Sequence, residues 1–128
     1  MLVHLDTDFL VYALSVRGPE RKRLDELPRY EAEIEISDVA WYEFSRGPRT
    51  VEQLVVARSL FGIDGIVPFS EGLTAAAAEV FRRLRSPRKR AADITIGVTA
   101  AAAGAELLTR NAKDFAGIPG VKLEAVGS

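Results

Sequence analysis

The chain has 128 residues, the size of one domain, and it is read as a single domain spanning 1–128. Hydrophobic residues make up 48% and charged residues 27%, a balance that excludes disordered, collagen-like and low-complexity chains. With no Cys and a single His, His4, the chain has no means to build disulfides, thiolate nucleophiles, iron–sulfur clusters or zinc sites rich in Cys or His.

In chain order, Met1–Leu5 is a short apolar run of strand character, followed by a helix through about Ser15. Gly18-Pro19 breaks that helix, and Pro19 opens another near 20–27 that ends before Pro28. Glu33–Ile36 alternates polar and apolar, as a strand does. Ser37 is an N-cap for a helix through about Arg46, stopped by Gly47-Pro48. Arg49–Phe61 reads as an amphipathic helix ending at Gly62, and Ile66–Phe69 as a short strand. Ser70 caps a long helix from about 71 to 85, closed by Pro87. Ala91–Ala103 is a helix of small residues ending at Gly104, and Glu106–Thr109 and Val121–Val126 are strands. Such alternation predicts an α/β fold: three layers, α/β/α, around a mostly parallel sheet. In open sheets of this kind ligands bind outside the carboxyl ends of the strands.

Net charge is −1, but it is unevenly spread. Residues 82–90, RRLRSPRKR, hold six of the 17 Lys/Arg and no acid, leaving 11 basic against 18 acidic residues elsewhere. Such a run suits contact with a polyanion, or is a solvated helix end. The longest weakly apolar run, Ile94 to Ala105, falls well short of the roughly 20 strongly apolar residues that span a membrane. Asp6 and Asp8 interrupt the N-terminus early, unlike a signal peptide, so a cytoplasmic location away from membranes is expected.

The acids after the strands carry the functional signal. Asp6 and Asp8 follow the first strand directly; a carboxylate there also serves as a helix cap. On a helical wheel Glu43 falls between Val39 and Ala40, inside the apolar arc, where a carboxylate has to be paired, neutral or metal-bound. Asp93 begins a stripe of small residues, Gly97, Ala100, Ala101 and Gly104, that lets a helix approach the sheet closely. Asp114 follows the strand 106–109, with Thr109 and Asn111 as polar neighbours. Clustered carboxylates without His or Cys call for a hard cation, Mg²⁺ or Mn²⁺, and such ions on carboxylates typically act on phosphate esters.

Taken together, HLDTDFLVYAL (4–14), SDVAWYEFSRG (37–47), AADITIGVTAAA (91–102) and LLTRNAKDFAGIPGVKL (107–123) resemble, in order and spacing, a PIN-domain ribonuclease. The type is the VapC toxin of type II toxin–antitoxin pairs. The resemblance implies a Mg²⁺-dependent endoribonuclease with Asp6, Glu43, Asp93 and Asp114 as the site acids. Asp6 and Asp93 would be metal ligands, with Thr109 and Asn111 in support. It also implies an RNA substrate, a cognate antitoxin and a homodimer. Arg85, Arg88, Lys89 and Arg90 would then meet the RNA backbone. Asp8 departs from the Asn or Ser common in that family, and DITIGV departs from its commoner Asp-Ala-Leu-Ile-Ala-Ala. His4, inside the first strand, is given a structural role.

Two other readings compete. Asp6-Thr7-Asp8 after an apolar strand resembles the opening of haloacid-dehalogenase-type phosphatases, yet Leu10 stands where they prefer Thr or Val. A non-catalytic PIN-like binding module has no positive support, since all four acids are present. A serine hydrolase, a P-loop and a dinucleotide-binding loop are excluded, as none of their motifs occurs. The apolar residues Leu54, Val55, Leu60 and Phe61 are candidates for a protein contact or for core packing.

Overall fold

A computed structural model of the chain describes residues 1–85 and 88–127. At its centre lies β1 (Leu2–Leu5), whose Val3, His4 and Leu5 are all buried. Strands buried on both faces read as continuous apolar runs, which is how this segment reads. The other strands are β2 (Glu33–Ser37), β3 (Ile66–Val67), β4 (Glu106–Thr109) and β5 (Lys122–Ala125). All pairings are parallel, in the order β3-β2-β1-β4-β5. Helices α1 (Thr7–Ser15), α2 (Pro19–Glu26), α3 (Asp38–Ser45), α4 (Val51–Ser59), α5 (Glu71–Leu84) and α6 (Ala91–Ala103) complete the three layers. Phe9, Leu10, Ile36, Phe44, Ile94, Ile96, Leu107 and Phe115 fill the core between sheet and helices.

The strand order reverses direction between β1 and β4. In parallel sheets that switch point opens a crevice at the carboxyl ends. The two strands are tied there: Leu5 pairs with Leu108, and the Asp6 N–H donates to the Leu108 carbonyl at 3.2 Å. Whatever follows β1 and β4 is therefore held side by side.

Local signals set most element ends. Ser37 and Ser70 accept hydrogen bonds from Ala40 N–H and Leu73 N–H, capping α3 and α5 as expected. Gly104, at φ +68°, ends α6 in the left-handed region that favours glycine. That end cap, not close approach to the sheet, is its role. Gly97 is the tight spot of the small-residue stripe: an added Cβ would lie 2.7 Å from Ile118 Cδ1 and 3.3 Å from Phe115 Cδ1. At Gly97 the stripe admits the 115–118 segment, while the helix also lies against β4 and β2.

Several expectations need correcting. The Arg49–Phe61 helix is shorter, Val51–Ser59, because Thr50 and Gln53 form a capping box that starts it later. Nor is it amphipathic: Val51, Val55 and Val56 are exposed. Phe61 is buried and Leu54 and Leu60 pack against the core, so of the four apolar candidates for a protein contact only Val55 is exposed. β3 stops at Val67, since Pro68 has no N–H to donate to a ladder. Pro28 lies inside a 3-10 turn, Leu27–Tyr30, that continues from α2. Pro87, expected to close α5, lies outside the described residues. Among the described residues no helix is long and apolar enough to cross a membrane.

His4 sits in the sheet centre, its Nε2 3.0 Å from Glu35 Oε1. Burial lowers its pKa, against the pull of Glu35 in the other direction. This is the structural histidine expected from the sequence.

Candidate active site

Asp6, Thr7, Asp8, Glu43, Arg46, Asp93 and Asp114 line one cleft of about 270 Å³. The fold brings them together from four places. Asp6 ends β1 and caps α1, accepting the Phe9 N–H at 2.7 Å. Cap and cleft residue are thus one and the same. Glu43 comes from the helix after β2, Asp93 from the first turn of α6, and Asp114 from a 3-10 turn (Ala112–Phe115) after β4. Glu43 is half-buried and accepts the Thr7 hydroxyl at 2.8 Å, which satisfies the carboxylate that the helical wheel placed in an apolar arc.

Electrostatics mark the cluster as a unit. Burial pushes the Asp6 carboxyl up to about 6; the Thr109 hydroxyl and Phe9 N–H oppose this, and the charges of Asp8 and Asp114 add to it. Burial pushes Asp93 to about 7, helped by negative charge on Asp114, Glu43, Asp6 and Asp8. Thr109 is fully buried and accepts the Asn111 N–H at 3.0 Å, so it braces both Asp6 and the turn that follows β4. Asn111 itself is exposed.

A hard divalent cation fits this donor set. The groups are oxygens only, burial and mutual repulsion raise the carboxyls of Asp6 and Asp93 for want of a counter-charge, and Mg²⁺ keeps several waters while taking one or two carboxylates. As the side chains stand, no three acids among the described residues are grouped closely enough to hold a metal ion. Asp6 and Asp93, whose carboxyls burial raises, both line the cleft that such an ion would enter.

The basic segment has two parts. Arg90, just before α6, donates from Nε and Nη2 to the Asp114 carbonyl at 3.3 and 3.0 Å, and also to the Ala116 carbonyl. It thereby fastens the Asp114 turn to the helix that carries Asp93. Arg85, Arg88 and Lys89 are exposed. Arg90→Ala is expected to weaken divalent-ion binding about three- to tenfold while leaving the fold intact. Calorimetric titration of Mn²⁺ checks this, and an unchanged affinity would deny the fastening role. Sequence reasoning did not find that clamp, nor the parts played by Thr7 and Arg46. The three-residue spacing of Glu43 and Arg46 was a readable sign of an ion pair; nothing in the sequence pointed to Arg90 reaching backbone carbonyls.

The PIN domain family matches residues 3–121. The chain belongs to the PIN domain family. It is similar to a chain of VapBC2 from Rickettsia felis bound to a DNA fragment from their promoter: 27% identity, TM-score 0.74, covering 99% of this chain and 100% of that one. A toxin–antitoxin complex from Klebsiella pneumoniae contains a chain 32% identical, with TM-score 0.67 and coverage of 93% and 94%. FitAcB from Neisseria gonorrhoeae shares the fold at 23% identity and TM-score 0.71, over 94% and 95%. No curated protein matches the sequence. The chain is thus a PIN domain of the VapC type, a class of nucleases.

Proposed function

We propose that this PIN domain is a Mg²⁺-dependent endoribonuclease, the toxin of a toxin–antitoxin pair, acting in the cytoplasm as a homodimer until its cognate antitoxin blocks it. The observation that carries this reading is the convergence of Asp6, Glu43, Asp93 and Asp114 on one cleft at the β1–β4 switch point. The toxin–antitoxin complexes among its structural neighbours support the antitoxin partner.

Mg²⁺, or Mn²⁺ in its place, supplies an acidified water as nucleophile and offsets charge on the phosphate. The chain's own residues do the rest. Asp6 is locked by its cap bond and Glu43 by Thr7, so neither carboxylate has to be ordered when RNA arrives. Asp114, exposed on a turn fixed by Arg90, would orient the attacking water. Asp93 has to be ionised to work, which places its proton in competition with the ion.

The test is sequencing of RNA ends after incubation with the purified chain and Mg²⁺. Discrete cuts that vanish in excess EDTA are expected; cuts that persist in EDTA would overturn the mechanism. The basic segment gives a second expected result. Arg88→Ala with Lys89→Ala weakens RNA binding about equally across sequences and lowers the salt slope by roughly 0.7 for each phosphate no longer neutralised. An unchanged slope would return these residues to a solvated helix end. Arg90 is left intact in that variant because of its clamp on the Asp114 turn.

A further inference from the structure

We propose that Arg46, which lines the acid cleft, and the exposed Tyr42 beside it grip one unpaired nucleotide of the RNA, the ring stacking on the base and the guanidinium meeting its phosphate. This rests on the ribonuclease reading and names two residues that would hold the substrate beside the acids.

Arg46 is the cation of the cleft, set among Asp6, Asp8, Glu43, Asp93 and Asp114. Its bland explanation is neutralisation of Glu43. The geometry argues against that as its whole role. Arg46 Nη2 is 3.8 Å from Glu43 Oε2, too far for a hydrogen bond, and its side chain is 58% exposed. Glu43 already has a partner in the Thr7 hydroxyl at 2.8 Å.

The guanidinium lies 5.2 Å from the centroid of the Tyr42 ring, and Tyr42 is 60% exposed. Two other Arg–Tyr pairs among the described residues offer a contrast. Arg23, near Tyr30, makes two bonds to Glu124 at 2.7 and 3.0 Å. Arg110, over Tyr12, donates to buried Glu20 at 3.1 Å. Both of those guanidinium groups brace the fold, whereas Arg46 lines the cleft and its side chain is largely exposed.

A phosphodiester approaching several carboxylates is repelled, and a cation lining the cleft offsets that cost. An exposed ring backed by an arginine is the arrangement that holds splayed-out bases, because every base has a π-face. A base inside a duplex has both faces covered and gains nothing from such a ring.

The experiment measures anisotropy of a labelled random-sequence RNA of about 12 nucleotides, single-stranded or annealed to its complement, in EDTA so that nothing is cut. Tyr42→Ala is expected to weaken single-strand binding about fivefold or more, since one stacked base is worth upward of about 1 kcal/mol. Tyr42→Phe stays within about twofold of wild type, Arg46→Ala weakens binding, and duplex affinity does not move in the Tyr42 variants. Photocrosslinking of 4-thiouridine RNA yields an adduct on the peptide that carries Tyr42. Both side chains are exposed, so the variants keep their melting temperatures. Wild-type single-strand affinity in Tyr42→Ala, or an equal loss on duplex, overturns the proposal. So does an unchanged RNA affinity with lost binding of the antitoxin, which would assign Tyr42 to a protein partner. A wild-type chain that binds and cuts no RNA overturns the ribonuclease reading itself, a failure visible before any variant is made.

Discussion

Asp93→Asn is expected to lower ribonuclease activity about a hundredfold or more while making the metal-free protein more stable at neutral pH. The substitution keeps shape and removes the charge that would hold the ion. The gain in stability follows from linkage. Asp6 and Asp93, ordinarily near 3.8, are raised to about 6 and about 7 in the fold. Between about pH 4 and 7 the folded chain therefore binds protons that the unfolded chain has already shed, and these groups destabilise the fold progressively as pH rises through that window. Asp93 is half-buried, so after allowance for solvent screening the effect at pH 8 is about 1–2 kcal/mol. Melting curves in EDTA should place Asp93→Asn roughly 3–6 °C above wild type at pH 8 and level with it near pH 4. A wild-type melting temperature that rises from pH 5 to 8 as steeply as the variant's would sink this account. Mn²⁺ should stabilise wild type at pH 8 more than at pH 5, because ion and proton compete for the same oxygens.

The second large effect concerns stability alone. Arg110 leaves the end of β4, covers the Tyr12 ring at 3.4 Å and donates to Glu20, whose side chain is only 4% exposed. Removing one member of a buried pair leaves an uncompensated charge, at a cost of about 3 kcal/mol or more. Arg110→Met should thus lose about that much in urea denaturation, a large fraction of the roughly 5–15 kcal/mol typical of a domain. Adding Glu20→Met should restore much of it, since an apolar pair of similar volume is often neutral. A single variant within about 0.5 kcal/mol of wild type would mean that Glu20 is rescued by water, and the double variant would then show no recovery.

Much of this molecule was legible because its punctuation is chemical. Ser37 and Ser70 cap the helices they precede, and Gly104 ends the one it follows, because each satisfies a backbone need that few residues meet. Glu43 was conspicuous because a carboxylate on an apolar face has to be satisfied by something. The shortfalls are tertiary. Whether Val55 or Phe61 faces the core depends on how α4 lies on its neighbours, and the wheel of an isolated helix does not hold that information. Gly97 belonged to a stripe read as facing the sheet, and it also makes room for Ile118 and Phe115, whose position depends on the turn after β4. Arg90 belonged to a basic run and looked like its neighbours. Its bonds to the Asp114 and Ala116 carbonyls join positions well separated in sequence, and composition carries no trace of them.

The pairing of β1 with β4 also sets a timetable. Asp6 is made long before the carbonyl that holds its backbone, on Leu108. A chain still emerging from the ribosome can form helices, and can pair β1 with β2, long before β4 exists. It carries most of the acids but not the crevice that gathers them. Pairings between such distant segments form late, because loop closure has to come before any contact rewards it. The crevice at the end of β1 therefore closes only once β4 has been built, and that delay follows from the strand order.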